Sequence, residues 1–213
     1  RVLFAAAIAA AAVSVASATY GADVSENVMP SDFKCLKSNG IEFVIIRAYQ
    51  SLNRPDPEAP HCIYNAWDGG MAHVDIYMFP APRGGNPGGQ FRSMVNYLKG
   101  YNVTHSAAPA PHTFGTIWLD IEGPQYWTSS HSANIAFIQG LINEASSMGL
   151  PIGVYTSESQ WSPITGGWTG ASHLPLWYPH YDANPSFSDF RGFGGWTHPA
   201  IKQYNDNGNI CSA

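Results

Sequence analysis

Charged residues are scarce in this sequence, and neither sign of charge forms a run. The 213 residues include 10 Lys or Arg and 15 Asp or Glu, which gives a formal charge of −5 when the histidines are neutral. Nucleic-acid binding depends on many Lys and Arg contacts to phosphate groups. A nucleic-acid partner is therefore not expected.

The motifs of three common kinds of site are also absent. No Gly-x-Ser-x-Gly occurs, which argues against a serine hydrolase with a nucleophile elbow. No His-Glu-x-x-His or His-x-His spacing occurs, so we expect neither a catalytic metal nor another cofactor. The glycine-rich segment 84–89 lacks the Lys-Ser/Thr pair of a phosphate-binding loop and predicts only a flexible connection before a helix.

Cysteine is rare as well, and its number is odd. With Cys35, Cys62 and Cys211, at most one internal disulfide can form. We predict a bridge between Cys35 and Cys62, which would join the first two predicted helices. Cys211 would then find its partner beyond the end of this sequence.

The N-terminus is an alanine-rich apolar run over residues 2–18. Its length and its Ala-Ser-Ala ending predict a secretory signal peptide over residues 1–18, followed by one domain over residues 19–213. The run is short for a membrane span, so no membrane anchor is expected. A glycosylation sequon begins at Asn102, which fits a secreted or lysosomal protein.

The rest of the composition is that of one well-packed domain. Hydrophobic residues make up 45% of the chain, with 7 Trp and 11 Tyr, and this is enough apolar surface for one sizeable core. Flat aromatic faces are frequent in sugar-binding sites, although most of these rings are expected in the core. We find no repeat and no second domain, and we expect a monomer.

Strand-like and helix-like segments alternate along most of the chain. Short apolar runs predict strands near residues 22–25, 42–49, 74–79, 117–121, 151–156, 175–181 and 200–204, with helices over 30–39, 62–71, 91–98 and 135–148. This order predicts an α/β fold with mostly parallel strands, either a barrel or a doubly wound sheet. Residues 157–172 are rich in Gly, Trp and Ser and are predicted to form a loop.

The most informative segment is residues 116–122, an apolar run that ends in Asp120 and Glu122. Alternation along a strand places both carboxyl groups on one face, with their points of attachment roughly 6–7 Å apart. Two like charges at that spacing raise the proton affinity of at least one of them. Such a pair suits a general acid beside an ionised partner, as in glycosidic bond cleavage. The alternative is a strand that simply ends in an acidic loop.

Further acidic and aromatic residues lie on or at the ends of neighbouring predicted strands. In a parallel α/β fold the functional site lies at the carboxyl ends of the strands. Candidates for substrate binding there are Asp23, Asp75, Tyr77, Tyr155 and Trp177. Each of them alone would more often be a cap, turn or core residue. Their convergence on one rim is what indicates a binding site.

Seven short segments occur in an order that is typical of one enzyme family. They are Asp23-Val24-Ser25, Glu42-Phe43-Val44-Ile45-Ile46-Arg47-Ala48, Asp75-Ile76-Tyr77-Met78-Phe79, Leu119-Asp120-Ile121-Glu122, Gly153-Val154-Tyr155-Thr156-Ser157, Leu176-Trp177-Tyr178-Pro179-His180-Tyr181 and Lys202-Gln203-Tyr204. Together they resemble the family 25 glycoside hydrolases, which are lysozymes (N-acetylmuramidases) that act on bacterial peptidoglycan. The resemblance covers nearly all of the chain from Asp23 onwards. It implies a flattened, irregular β/α barrel of the TIM type in a single domain.

The resemblance also implies roles for the two carboxylates. Glu122 resembles the general acid that protonates the leaving sugar oxygen, and Asp120 resembles its partner. Family members are usually described as retaining enzymes in which the substrate's own N-acetyl group attacks the anomeric carbon, so no protein nucleophile is needed. Asp120 would then stay ionised and stabilise the cyclised acetamido group, while Glu122 alternates between acid and base.

Two features depart from the family pattern. Asp75 stands where many relatives have a small residue, and the chain stops at Ala213, whereas relatives often continue to a further acidic strand. We expect either that Asp206 serves in that position or that the last strand is missing from this sequence. The alternatives to a lysozyme are a non-catalytic sugar-binding protein with the same barrel and a hydrolase of another acetamido polymer such as chitin.

Overall fold

The computed structural model describes residues 19–206 and residue 211. The predicted signal peptide, residues 1–18, lies outside the described residues. In chain order the elements are β1 (Tyr20–Val24), α1 (Pro30–Ser38), β2 (Ile41–Gln50), β3 (Arg54–Pro55), α2 (Ala59–Asp68), β4 (His73–Met78), α3 (Pro87–Gly100), β5 (Thr104–His105), β6 (Thr113–Phe114), β7 (Ile117–Asp120), α4 (His131–Ser147), β8 (Ile152–Tyr155), α5 (Glu158–Thr165), β9 (Leu176–Pro179) and β10 (Ile201–Gln203). Single turns of 3-10 helix occur at Pro82–Gly84 and Pro124–Tyr126.

Seven of these strands form one parallel sheet, in the order β1-β2-β4-β7-β8-β9-β10. β3 pairs antiparallel with the end of β2, and β5 and β6 form a separate pair. The sheet is curled into a half-barrel, so the predicted flattened β/α barrel in a single domain is confirmed. Within residues 19–206, β1 and β10 are the edge strands, and no backbone ladder joins them.

The central strands are buried on both faces. Every residue of β7 and β8 is buried, as expected for parallel strands that have helices on one side and the barrel interior on the other. The larger core lies between the sheet and the helices. A smaller cluster fills part of the barrel interior and consists of Ile45, Trp118, Tyr155 and Trp177.

The interior position of Trp118 depends on a glycine in the neighbouring strand. Gly153 is the register partner of Trp118. A Cβ atom on Gly153 would lie 2.3 Å from the indole ring, so any larger residue would displace that ring. The glycine therefore allows a large aromatic side chain to pack beneath the strand ends.

The prediction of a loop over residues 157–172 is wrong for its first half, where α5 forms. The stretch contains Pro163 and several serines, which lower its helix propensity. Trp161 and Ile164 are completely buried, and Gly166 follows the helix with a φ of +68°. Burial of these two side chains outweighs the weak local propensity, because tertiary packing supplies most helix stability in proteins.

The disulfide prediction is also wrong. Cys35 is bonded to Cys211, 176 residues away in sequence, and Cys62 is a buried free thiol. Cys62 faces the core, where its Sγ lies 3.5 Å from the carbonyl oxygen of Glu26. Burial raises the pKa of Cys62 to about 11, so this thiol stays protonated at neutral pH. The bridge ties α1 to the C-terminal part of the chain.

Two predictions concern the protein surface. Asn102 is exposed in the turn after α3, with a φ of +58°, and its glycosylation stays a prediction. None of the helices within residues 19–206 combines the length and the apolar character needed to cross a bilayer.

Candidate active site

The two predicted catalytic carboxylates lie at the carboxyl end of a central strand. β7 ends at Asp120, and Glu122 follows two residues later. The amide of Ile121 donates to the carbonyl oxygen of Tyr155 at 2.9 Å, and Thr156 Oγ1 donates to the carbonyl oxygen of Ile121 at 2.7 Å. The neighbouring strand therefore holds the residue between the two carboxylates in place.

The backbone at Glu122 is fixed from several directions. Trp127 Nε1 donates to the carbonyl oxygen of Glu122 at 2.9 Å. The amide of Gly123 donates to Gln160 Oε1 at 2.8 Å. Arg83 in turn donates to the carbonyl oxygen of Trp127 at 3.2 Å. This support suits a side chain whose position must be accurate, as that of a proton donor must be.

Asp120 is buried without a full set of partners. It is 6% exposed, and its Oδ1 has no hydrogen-bond partner among the described residues. Burial, and then the charges of Glu122 and Asp23, raise the pKa of Asp120 well above its ordinary value. The burial of Asp120 thus acts against the ionised form that is expected for this residue from the sequence.

Glu122 is half-buried, and burial raises its pKa as well. A raised pKa keeps a larger fraction of the carboxyl groups protonated near neutral pH, which a general acid requires. The two carboxylates therefore share the direction of their pKa shifts and differ in exposure. The more accessible of the two is the predicted acid.

A polar network joins the ends of three strands next to this pair. Tyr155 Oη donates to Gln203 Oε1 at 2.7 Å, and Tyr181 Oη donates to the same atom at 3.0 Å. Gln203 Nε2 donates to Asp23 Oδ2 at 2.9 Å. Asp23 has water-accessible surface on the cleft wall, although protein surrounds its carboxyl group closely. Burial raises the pKa of this carboxyl group, and the hydrogen bond from Gln203 only partly offsets the rise.

Tyr77 lies on β4 beside the same carboxylates. Its register partner on β7 is Trp118, and its side chain is half-buried. Burial, and then the charge of Asp120, raise the pKa of Tyr77, while the charge of Arg47 acts in the opposite direction. The phenol of Tyr77 therefore lies close enough to Asp120 to respond to its charge.

Trp177 lies beneath the rim and not on the cleft wall. It is 4% exposed, and its ring packs edge-to-face on Tyr155, with 4.5 Å between the centroids. Similar edge contacts join it to Trp118 at 6.0 Å and to Tyr77 at 6.3 Å. Trp177 thus packs against the buried rings of Trp118 and Tyr155 and against the half-buried ring of Tyr77.

Asp75 also lies beneath the rim, where both of its carboxyl oxygens contact neighbouring protein groups. It is 5% exposed. Its Oδ1 accepts from the amide of Thr116 at 2.7 Å and lies 2.8 Å from His73 Nε2, and its Oδ2 accepts from Trp118 Nε1 at 2.9 Å. With both oxygens occupied, Asp75 anchors the indole of Trp118 and the start of β7.

A cavity of about 990 Å³ lies between the two edge strands. Its lining includes Asp23, Trp177 and Gln203 but neither Asp120 nor Glu122. The cavity therefore lies beside the carboxylate pair and meets the active-site cleft at Asp23.

Among the predicted site residues, the rim holds Asp23, Tyr77, Asp120, Glu122 and Tyr155, and the layer below it holds Asp75 and Trp177.

Two residues at this rim were not singled out from the sequence. Gln203 bonds to three side chains of the cleft, and Tyr181 lies close enough to Glu122 and Asp23 for both charges to contribute to its raised pKa, after burial. Both residues belong to segments that carry the family resemblance. A glutamine and an exposed tyrosine have no local pattern that marks them as site residues.

A second group of ionisable residues lies in the loop after β9 and on the adjacent strand β10. We call Asp182, Asp189, His180 and Lys202 the loop cluster. The His180, Asp182 and Asp189 ligand atoms lie within 4.8 Å of one another, as metal ligands would. Lys202 Nζ, however, donates to Asp182 Oδ2 at 2.8 Å and to Asp189 Oδ1 at 2.9 Å. The lysine thus supplies the positive charge that a metal ion would supply.

Comparison with known proteins agrees with this geometry. The family model described as "Lys-1: Lysozyme-like protein 1" matches residues 14–204. The chain is 54% identical over 201 residues to "Probable GH family 25 lysozyme 2" of Dictyostelium discoideum, covering 94% of this chain and 90% of that protein. The chain belongs to the glycoside hydrolase family 25 lysozymes.

Other family 25 members agree with this assignment. "Probable GH family 25 lysozyme 4" of Dictyostelium discoideum is 48% identical over 191 residues, covering 90% of this chain and 85% of that protein. The solved structure of a family GH25 lysozyme from Aspergillus fumigatus has a TM-score of 0.68 at 25% identity and covers 86% of this chain and 85% of that one. As a member of family 25, the chain is a glycoside hydrolase.

Proposed function

We propose that this glycoside hydrolase is a lysozyme that cleaves the β-1,4 bond between N-acetylmuramic acid and N-acetylglucosamine in peptidoglycan. Family 25 membership supports the substrate class. The observation that carries the proposal is the pair Asp120 and Glu122 at one strand end, both with raised pKa values. One of the two, Asp120, has a buried oxygen that finds no hydrogen-bond partner within the described residues. Perturbed carboxyl groups of this kind are typical of glycosidase sites.

In the first step Glu122 acts as the general acid. Its proton passes to the oxygen that bridges the two sugars. The carbonyl oxygen of the substrate's own acetamido group bonds to the anomeric carbon, and the bond from that carbon to the bridging oxygen breaks. The raised pKa of Glu122 supports this role.

Asp120 stabilises the cyclised acetamido group. The carboxylate of Asp120 accepts the acetamido N–H, and substrate binding shifts Asp120 towards its ionised form, with the proton released to solvent. As the group cyclises it gains positive charge, which is the counter-charge that Asp120 lacks among the described residues. The interaction is therefore stronger in the transition state than with bound substrate, which is the condition for catalysis.

In the second step Glu122 acts as the general base. Its carboxylate removes a proton from a water molecule, the water oxygen bonds to the anomeric carbon, and the acetamido ring opens. Two displacements at one carbon leave the product with the configuration of the substrate. Neither step requires a metal or a cofactor.

The remaining rim residues bind the sugar chain. Asp23, Tyr77 and Tyr155 offer polar groups next to the two carboxylates, and we assign them to the cleft wall. Trp177 and Asp75 contribute from below, since both are buried and hold aromatic side chains in place. This division follows from their contacts, since the hydroxyl group of Tyr155 belongs to the polar network of the cleft, whereas Asp75 and Trp177 contact other buried side chains.

We further propose that the enzyme acts outside the cytosol, as a secreted or lysosomal monomer without a membrane anchor. The disulfide between Cys35 and Cys211 supports this location, because disulfides persist in oxidising compartments. An exposed sequon at Asn102 is consistent with passage through the secretory pathway.

The test is digestion of purified cell walls followed by identification of the new reducing ends. We expect the protein to clear the suspension and to leave muramic acid at the reducing ends. Chitin oligomers serve as the second substrate, and Glu122→Gln prepared in parallel controls for contaminating lysozyme. Cleavage of chitin in preference to cell walls would favour the chitin-hydrolase alternative. Sedimentation of folded protein with the walls, without released ends, would favour the sugar-binding alternative.

A further inference from the structure

One side chain connects the two edges of the open sheet. Gln203 is the last residue of β10, and its amide bonds to Asp23 on β1, to Tyr155 at the end of β8 and to Tyr181 beyond β9. No backbone ladder joins β1 to β10 within residues 19–206. The amide thus spans the one side of the half-barrel that backbone pairing leaves open in the described chain.

The partners fix the orientation of this amide. An ionised Asp23 carboxyl group only accepts hydrogen bonds, so Gln203 Nε2 must face it. The amide oxygen then faces the two phenols, whose hydroxyl groups donate to it at 2.7 and 3.0 Å. A flipped amide would place Oε1 against the carboxylate and lose that bond. All four groups therefore adopt one consistent pattern of donors and acceptors.

The pattern also determines what the phenols offer to a ligand. Tyr155 and Tyr181 each have one hydroxyl proton, and in this pattern both protons are donated to Gln203 Oε1. Their oxygen atoms, 3.3 Å apart, are left with lone pairs. These oxygens can accept from sugar hydroxyl or acetamido N–H groups.

We propose that Gln203 is a positioning residue that holds Asp23, Tyr155 and Tyr181 in one arrangement across the open side of the barrel. The proposal rests on the lysozyme function given above, since it assigns these residues to the same cleft. Other contacts across the gap, such as the edge contact of Tyr20 with Tyr204 at 6.4 Å, do not direct polar groups. Loss of the amide would free three cleft side chains at once.

The test compares Gln203→Met and Gln203→Glu with wild type. Methionine keeps the length of the side chain but neither bonds to Asp23 nor accepts from the phenols. We expect kcat/KM to fall about 10- to 100-fold, because misplacement of cleft groups by about 1 Å weakens the contacts that hold the sugar in its reactive position. Gln139→Met, a matched change on the outer face of α4, should keep wild-type kinetics.

Gln203→Glu gives a readout that a merely structural role would not give. Its carboxylate still accepts from both phenols but repels Asp23. When it is protonated it can donate to Asp23 as the amide does. We therefore expect low activity at neutral pH and recovery relative to wild type as the pH is lowered. A constant ratio of variant to wild-type activity across pH would contradict the proposal.

A measurement without substrate separates this proposal from the lysozyme assignment. The carboxyl pKa of Asp23 is measured by NMR in wild type and in Gln203→Met, and we expect it to rise in the variant because a donor is lost. An unchanged pKa, or wild-type kinetics of Gln203→Met on walls that wild type cleaves, would overturn the positioning role. Failure of wild type to cleave walls would overturn the lysozyme function, and the Asp23 titration would still decide the role of Gln203.

Discussion

The cleft carboxylates and those of the loop cluster carry the same chemical group in opposite electrostatic settings. In the cleft, Asp23, Asp120 and Glu122 lie near one another, and the pKa of each is raised, with burial as the largest cause. In the loop cluster, the hydrogen bond from Lys202 lowers the pKa of Asp182, and it lowers that of Asp189 to about 2.

The difference lies in the positive partner. The Lys202 side chain is 1% exposed, and burial alone would lower its pKa. Its bonds to Asp182 and Asp189 outweigh burial and raise that pKa. Asp120 has no comparable cation, and its Oδ1 has no partner in the described part of the chain.

The comparison shows where the fold tolerates an unfavourable charge. A buried charge is stable when it is paired and hydrogen-bonded, as in the loop cluster. An unpaired buried carboxyl group costs stability, and such groups persist where the chemistry needs them. Substitutions in the two groups of carboxylates should therefore differ in their effects on activity and stability.

Glu122→Gln removes the proposed proton donor while it keeps the shape of the side chain. We expect kcat on cell walls to fall by more than about 10³-fold, because the amide cannot protonate the leaving oxygen. Glu26→Gln, at an exposed position, is the matched control and should behave as wild type. A tenth of the activity remaining in folded Glu122→Gln would exclude Glu122 as the acid.

The same Asp→Asn change in the two groups should have very different effects on turnover. Asp120→Asn should lower kcat roughly 10²–10⁴-fold, the size of effect of a lost charge stabiliser. Asp189→Asn should keep kcat within about threefold, since the hydrogen-bond partners of Asp189 are Lys202, His180 and Tyr178, and none of these is a cleft residue. Steady-state kinetics on soluble muropeptides would measure both values. An effect of Asp120→Asn confined to KM would argue against the stabilising role.

The same two variants should change thermal stability in opposite directions at neutral pH. The raised pKa of Asp120 means that its contribution to stability is full below about pH 4 and is lost as the pH rises. Asp120→Asn should therefore raise Tm at pH 7, by the few degrees typical of a relieved functional site, and should lose this advantage in acid.

The contribution of Asp189 to stability should change with pH in the opposite direction. Its lowered pKa, about 2, adds stability above about pH 4 that disappears as the pH falls towards 2. Asp189→Asn should lower Tm by about 2–4 °C at pH 7, and the difference should shrink below pH 4. Melting curves from pH 2 to 8 would measure both series. If both variants shifted Tm in the same direction at pH 7, the proposed difference between the cleft and the loop cluster would be wrong.

Tyr181 is the point where the two groups meet, since it follows His180 in the loop and bonds to Gln203 in the cleft. Tyr181→Phe removes one hydroxyl group from an exposed ring. We expect a loss of about 3- to 10-fold in kcat/KM, the size of one hydrogen bond, and no change in Tm. Ser186→Ala, in the same loop, is the control, and a comparable loss there would assign the effect to loop mobility.

The sequence predicts the architecture and the position of the carboxylate pair because both follow from local patterns. Apolar runs of strand length alternate with helical periodicity, and this order defines the parallel sheet. Asp120 and Glu122 are recognisable because they end such a run. The same rule placed Tyr155 correctly at the end of β8.

The errors concern features that depend on contacts between distant segments. The helix α5 exists because Trp161 and Ile164 become buried, and propensity alone does not report that. The Cys35–Cys211 bond joins residues 176 positions apart, and sequence spacing favoured the nearer Cys62. The role of Gln203 arises only when β1, β8 and β10 meet.

The protonation preference of Asp120 also depends on three-dimensional surroundings. Spacing along the strand indicated that one carboxyl group of the pair has a raised pKa, and Glu122 was the expected one. Asp120 has the deeper position, so it loses more hydration and its neutral form is favoured more strongly. The burial of each side chain decides which of the two pKa values is raised more, and the spacing of residues along the sequence does not report burial.

The most direct test of the account is an NMR titration of the aspartate side-chain carboxyl carbons in the folded wild-type protein, with Asp120→Asn and Asp189→Asn used for assignment. We expect Asp120 to titrate well above the ordinary value of about 3.9 and Asp189 to titrate near 2. Titration of Asp120 at or below its ordinary value would show that its charge is compensated, and it would contradict the distinction between the cleft and the loop cluster.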